Sequence, residues 1–287
     1  MPKAGNGFCF SLCADDYALS PAVSLGIREA LTARRLSATS VMTTMAGWHR
    51  EAHDLRPFHP EAEIGLHLNL TSGTPLGAMP CFAPTGRLPP IGRLIKAAYG
   101  RTLPEAEIRA EISRQIDAFI DSFGAAPDYI DGHQHVQALP GIRLWLLETL
   151  AEKGLTGKLW LRDSGDSLSR IIMRGGELSK ALMVAGFARG FARMAAAHGF
   201  ACNEGFAGFS AFAPDENYGQ AFAHFLTAPG KRHLIMCHPG HCDEELAALD
   251  PVTTSREKEL AFLLSDDFLR LLDQRKARLS RLAIIRN

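Results

Sequence analysis

Net charge is the first thing this 287-residue sequence lacks. Lys and Arg together number 31, and so do Asp and Glu. No basic excess marks the chain for nucleic acid, and none for an anionic membrane surface. No run of 18 or more uncharged apolar residues occurs, so no spanning helix is expected. The opening MPKAGNGFCF lacks the apolar core of a signal peptide, and a cytoplasmic location is the expectation. Cysteine is sparse, with six residues and no CxxC, which fits reduced thiols rather than a disulfide framework. Cys13 and Cys237 are expected to pack as small buried hydrophobes. GxxxxGK[ST], GxGxxG after a strand, HExxH and GxSxG are all missing. The glycosylation-like NLT at Asn69 has no secretion signal beside it and is read as chance. Repeats and low-complexity linkers are absent too, so residues 1–287 are read as one domain, a common length for an α/β barrel.

What is present is an alternation of apolar strand-like runs and helical patterns. Strands are expected at residues 8–14, 39–45, 62–70, from 129 to 131, at 159–162, 232–237 and 283–285. Helices are expected at 21–34, 105–123, 141–153, 256–264 and 267–275. Ser20 serves as N-cap and Pro21 as first residue of the first helix. This β-then-α order predicts parallel strands with outer helices, in an open sheet or an irregular barrel of about seven units. Two stretches break the rhythm. Residues 71–103 are rich in Pro and Gly and long for a plain connection, as binding loops are. Residues 164–200 are apolar and rich in small residues, and are read as a buried or self-associating helix, with a lid over a greasy substrate as the sharper alternative.

Titratable residues collect at the strand ends. Asp15 and Asp16 follow the first strand without a break, and two neighbouring carboxylates in a shielded place repel unless a cation is near. In EIGLHLNL, period two puts His67 and Asn69 on one face, opposite Leu66, Leu68 and Leu70. In YIDGHQHVQALP, an extended chain would point Asp131, His133 and His135 the same way, a good ligand source for a divalent cation. In RHLIMCHPGH, an apolar strand delivers His238 to a loop, while His233 and His241 read as surface residues. If the sheet is parallel, these four ends gather at one edge, where sites of such folds lie.

The blocks ADDYALS, GLHLNLTSG, PDYIDGHQHVQALP and MCHPG, in this order over residues 15–240, resemble the YdjC-like carbohydrate deacetylase family, which includes chitooligosaccharide and hopanoid-associated members. The resemblance implies a distorted (β/α) barrel holding one divalent metal, Mg2+ or Zn2+, through Asp16, His67 and His133. It also implies Asp15 as base and His238 as acid in removing an acetyl group from an N-acetylated carbohydrate. Acetate and an amino sugar would be the products. Asp131 would orient a ligand histidine; His135, Asn69 and Arg162 are further candidates for substrate or supporting contacts. The chain departs from the family pattern at Tyr17 and Ala18, where Phe and Gly are common, and at Gln134 and Gln137, where members carry His. A lipid-linked substrate and a homodimer stay open. The rivals are a phosphoesterase or other amidohydrolase using the HxH of His133 and His135, and a sugar-binding barrel without turnover.

Overall fold

The structure, a computed structural model, describes residues 7–213 and 215–284. Its elements run in chain order as β1 (Phe8–Tyr17), α1 (Pro21–Thr32), β2 (Ala38–Val41), α2 (Trp48–Leu55), β3 (Glu63–Leu68), α3 (Ile91–Tyr99), α4 (Glu105–Phe123) and β4 (Tyr129–Gly132). There follow α5 (Ile142–Glu152), β5 (Trp160–Leu161), α6 (Leu168–Arg174), α7 (Leu178–Ala188), α8 (Phe191–Ala197), β6 (Ala201–Cys202) and β7 (Phe206–Ala207). The last are α9 (Tyr218–Phe225), β8 (His233–Cys237), α10 (Glu244–Leu249), α11 (Thr254–Leu264), α12 (Asp266–Arg275) and β9 (Ala277–Leu279).

Local chemistry accounts for the boundaries. The Ser20 hydroxyl accepts from the Val23 N–H and Pro21 takes the first turn, so α1 starts where its free amides are best satisfied. In α4, Ile108, Ile112, Ile116 and Phe119 form one buried stripe, and Gly124, at φ +87°, ends the helix in a conformation that costs glycine little.

Among the described residues every named strand pair is parallel, in the order β6-β5-β4-β3-β2-β1-β8-β7, with β9 also on β1, and one isolated antiparallel bridge joins Glu204 to Arg232. The two ends of this order, β6 and β7, are separated in the chain by residues 203–205 alone. So short a link reaches at most about 14 Å, and the sheet must curl until its ends meet. Residues 201–207 are in effect one broken strand, on β5 through its first half and on β8 through its second, and the result is a distorted (β/α) barrel. The strands alternate accordingly. Cys13, Ala38, Tyr129, Trp160, Phe206, Leu234 and Met236 pack together inside, while Leu12, Ile64, Ile130, Leu161 and Ile235 belong to the larger core under the helices. Gly65 leaves room for the Tyr129 ring, which would lie 2.4 Å from a Cβ there, and Tyr129 stacks on Trp160 at 4.2 Å.

Several expectations need correction. β1 runs on through both aspartates instead of stopping before them. Residues 71–103 are not all loop, since α3 forms inside them, and 164–200 fold as three helices rather than one. The expected strand at 283–285 is a 3-10 turn at Leu282–Ile284, with residue 285 outside the described residues; the last strand is β9. His241 is half-exposed beside Glu29, as a surface residue would be, whereas His233 is wholly buried. Its Nε2–H donates to the Phe225 carbonyl at 2.9 Å, beneath α9.

Burial holds His233 at about 4, only partly opposed by that carbonyl. The folded protein then refuses a proton that the unfolded chain takes up near 6.5. The contribution of neutral His233 is thus complete above about pH 6.5 and is lost as pH falls toward 4, by about 3 kcal/mol. Urea unfolding at pH 7 and pH 4.5 should show wild type losing more stability on acidification than His233→Gln; equal losses would refute the assignment.

Candidate active site

In a regular strand Asp15 and Asp16 would point to opposite faces. Here the β1–β2 register slips between Ala14 and Tyr17, and Asp16 takes φ +69°. This irregularity acts as a bulge that re-aims one side chain, and both carboxylates line the same cavity. Asp15 lies on the barrel's inner face with Cys13, and a buried Arg162, just after β5, grips it with two hydrogen bonds of 2.7 and 2.6 Å. Asp16 accepts at Oδ2 from Arg256 of α11 at 2.7 Å. Each carboxylate therefore has its own guanidinium. Burial alone would push both carboxyls up, but Arg162 on Asp15 and Arg256 on Asp16 outweigh it and hold both below the usual range.

The free oxygen of Asp16 faces two imidazoles. Oδ1 lies 3.0 Å from His133 Nδ1 and 3.4 Å from His67 Nε2. The three residues offer ligand atoms all within 4.8 Å of one another. Metal–ligand bonds of about 2.0–2.1 Å in a tetrahedral site separate neighbouring ligands by about 3.3 Å, so this donor set fits one cation. Four carboxylates, Asp15, Asp16, Asp131 and Asp250, contact two guanidiniums, an excess of negative charge that a cation would meet. The same field shows in His67: burial works against its proton, yet Asp131 and Asp15 raise it to about 10.

Strand register sets the supporting contact. His67 of β3 pairs with Asp131 of β4, and His67 Nδ1–H donates to Asp131 Oδ1 at 2.6 Å, which turns Nε2 toward Asp16. Asp131 is anchored in turn by Arg162 at 2.5 Å. Arg162, fully buried, thus binds the protein's own carboxylates.

The reading of Asp131, His133 and His135 as one extended face does not survive. β4 ends at Gly132, and Gln134 and His135 both have left-handed backbone, at φ +53° and +62°. His133 reaches the ligand cluster through this turn. His135 sits apart from it, edge-on to Phe206 and Phe209 with ring centroids 5.8 Å away, so the HxH does not act as a paired ligand. Burial, aided by Arg162, lowers His135 to about 3. His238 follows β8, and burial lowers it too, against the pull of Asp16 and Asp15. Asn69 lies past the end of β3, where its side chain accepts from the Thr71 and Ser72 amides and donates to Thr44; it shapes the following loop and is not in the cavity lining. Cys13 and Cys237 are buried.

The cavity above the carboxylates is about 440 Å³. Its floor is polar, while Ile91 and Ile95 of α3, Met183 and Phe187 of α7, and Phe209 and Phe212 make its walls apolar. Three buried polar atoms on its lining residues have no hydrogen-bond partner among the described residues: His135 Nδ1, His238 Nδ1 and Arg256 Nη1. Sequence reasoning missed Arg256, one basic residue among several in a charged amphipathic segment. It also missed Glu259, which accepts from the His238 amide at 2.7 Å and is pushed by burial to about 7.

Comparison with known proteins places this geometry. A chitooligosaccharide deacetylase of Klebsiella pneumoniae (strain 342) is 30% identical over 239 residues, spanning 81% of this chain and 82% of that one. One from Enterobacter sp. (strain 638) is 35% identical over 143 residues, half of this chain and 55% of the relative. A carbohydrate deacetylase of Geobacillus stearothermophilus is 33% identical over 141 residues, covering 49% and 54%. Among solved structures, a protein of Enterococcus faecalis V583 provisionally assigned to cellobiose-phosphate cleavage superposes with a TM-score of 0.72 over 97% of this chain and 98% of its own, at 20% identity, a likeness of fold. The family described as YdjC-like protein matches residues 10–274, nearly the whole span over which strand ends, bulge and ligand cluster are built, and to that family this chain belongs.

Proposed function

We propose that this protein is a metal-dependent carbohydrate deacetylase that hydrolyses the acetamide of an N-acetylated sugar to acetate and an amino sugar. The observation that carries the reading is the convergence of Asp16, His67 and His133 beside Asp15 on the floor of one cavity. The relatives' names point the same way. A divalent cation held by those three side chains would supply Lewis-acid polarisation of the acetyl carbonyl and of the attacking water. Asp15 takes the water's proton. Gripped by Arg162, it is a weak base, so it acts only on a water already made acidic, and the same grip fixes its aim. His238 gives a proton to the departing sugar nitrogen. Its lowered affinity for that proton makes its imidazolium a stronger acid than a free imidazolium. The unpartnered His135 Nδ1 and Arg256 Nη1 suit sugar hydroxyls.

The apolar walls favour a substrate whose sugar carries a greasy portion, such as a lipid. The two phenylalanines near α7 separate this role from packing. Phe187 is half-buried, lines the cavity and meets Tyr99 with centroids 6.0 Å apart, whereas Phe191 is fully buried in the core. Phe187→Ser is expected to raise KM for lipid-bearing substrates more than for short water-soluble ones. Phe191→Ser should instead cost about 3–5 kcal/mol of stability. Equal KM shifts for both substrate types would remove the lipid portion from the proposal. The deacetylase reading itself is tested by acetate release from a panel of N-acetylated oligosaccharides and glycolipids, with metal analysis of the same sample. Bound sugar without acetate would favour a binding barrel.

A further inference from the structure

A surface helix normally buries its apolar stripe and shows its polar one. α6 and α7 bury Ile171, Val184 and Ala188 but also show a second apolar face to solvent. Leu168, Ile172, Met173, Leu178, Leu182 and Met183 make up six of the twelve large hydrophobic residues exposed among the described residues, with Ile172 60% and Met173 63% exposed. Along α7 the exposed positions Leu178, Ser179, Leu182, Met183 and Gly186 recur at helical spacing without a charge. The patch continues into the cavity, since Met183 and, one turn on, Phe187 line it. On the other side of Phe187 stands Tyr99 of α3, itself half-exposed.

Charge surrounds this face unevenly. Residues 87–101 carry Arg87, Arg93, Lys96 and Arg101, all exposed, and no acidic residue. Past the end of α7, Arg189 and Arg193 are exposed as well. The chain's zero net charge thus conceals a basic rim beside the apolar face: between residues 167 and 193 Glu177 is the one acidic residue, against Arg170, Arg174, Lys180, Arg189 and Arg193.

We infer that this face docks on the surface of an anionic lipid bilayer, with α6 and α7 lying in the interface and the cavity mouth opening toward the lipids. An exposed apolar patch of this kind is normally covered. Apolar side chains that enter the acyl boundary, flanked by Lys and Arg for anionic headgroups, are the chemistry of interfacial helices. A second copy suits the face less well, because a two-fold contact sets the same surface against itself and each basic rim against its equal. Among the described residues no helix is long and apolar enough to cross a membrane, so the attachment is peripheral. The inference extends the lipid-bearing substrate of the proposed function, but it is read without substrate, so the two can fail separately.

The test is pelleting of the purified protein with vesicles of phosphatidylcholine alone or mixed with phosphatidylglycerol. The protein should pellet with the mixed vesicles, about tenfold less with the neutral ones, and less at raised salt. Ile172→Ser combined with Leu182→Ser, both exposed and outside the cavity lining, should keep the thermal melt and lower vesicle binding by about tenfold or more. Failure of the wild type to pellet, equal pelleting with both vesicle types, or unchanged binding by the double variant would each overturn the proposal. A wild-type dimer that the double variant dissolves, with no vesicle binding, would assign the face to a second copy instead.

Discussion

His67→Ala and His133→Ala should each lose stoichiometric divalent-metal binding and, with it, acetate release. Each removes one of three ligand atoms that meet around Asp16 Oδ1. Two remaining ligands cannot close a site whose usual protein set is three. The fold should persist, because Asp131, which loses its partner in His67→Ala, keeps its contact with Arg162 at 2.5 Å. Asp131→Asn makes the useful contrast. It leaves all three ligands in place and removes only the charge that orients His67, so metal affinity should fall about 10- to 100-fold rather than vanish. Equilibrium dialysis with elemental analysis reads both effects. Normal metal content in the two histidine variants would overturn the ligand assignment.

Asp15→Asn should keep the metal and lose turnover by about a hundred- to ten-thousand-fold, the usual cost of removing a general base. Asparagine has nearly the same size and can still accept from Arg162, but it cannot take a proton. Arg162 also keeps Asp131 as a counter-charge, so the variant does not strand a buried cation. The checks are metal content, thermal melt and kcat on one preparation. Full activity would move the base elsewhere, and His135 would be the residue to examine, since Asp131 is sealed behind His67 and Arg162 with no exposed surface.

The sequence by itself determined which residue types stand at the strand ends. Apolar runs such as residues 8–14 and 234–237 suit buried strands, and β-then-α order implies a parallel sheet, which brings Asp15, Asp16, His67, Asp131 and His238 near one edge. The N-terminal boundary of α1 was legible in Ser20 and Pro21, because capping is local chemistry. Period two, by contrast, misjudged His135 and Asn69. The turn after Gly132 and the end of β3 at Leu68 break the alternation, and left-handed backbone at Gln134 and His135 has no simple residue signature.

Only the tertiary structure decided what sits against each carboxylate. Arg162 reaches Asp15 across 147 residues of chain and Arg256 reaches Asp16 across 240. Arg162 was legible as a candidate at a strand end, but Arg256 reads in the sequence as a solvated surface charge, and it becomes a buried counter-ion only when barrel closure removes the water around it. The two adjacent aspartates of ADDYALS are reconciled by those arginines and by the bulge that separates their aims. The same holds for α6 and α7, whose composition was visible but whose outward apolar face depended on which side the barrel left uncovered.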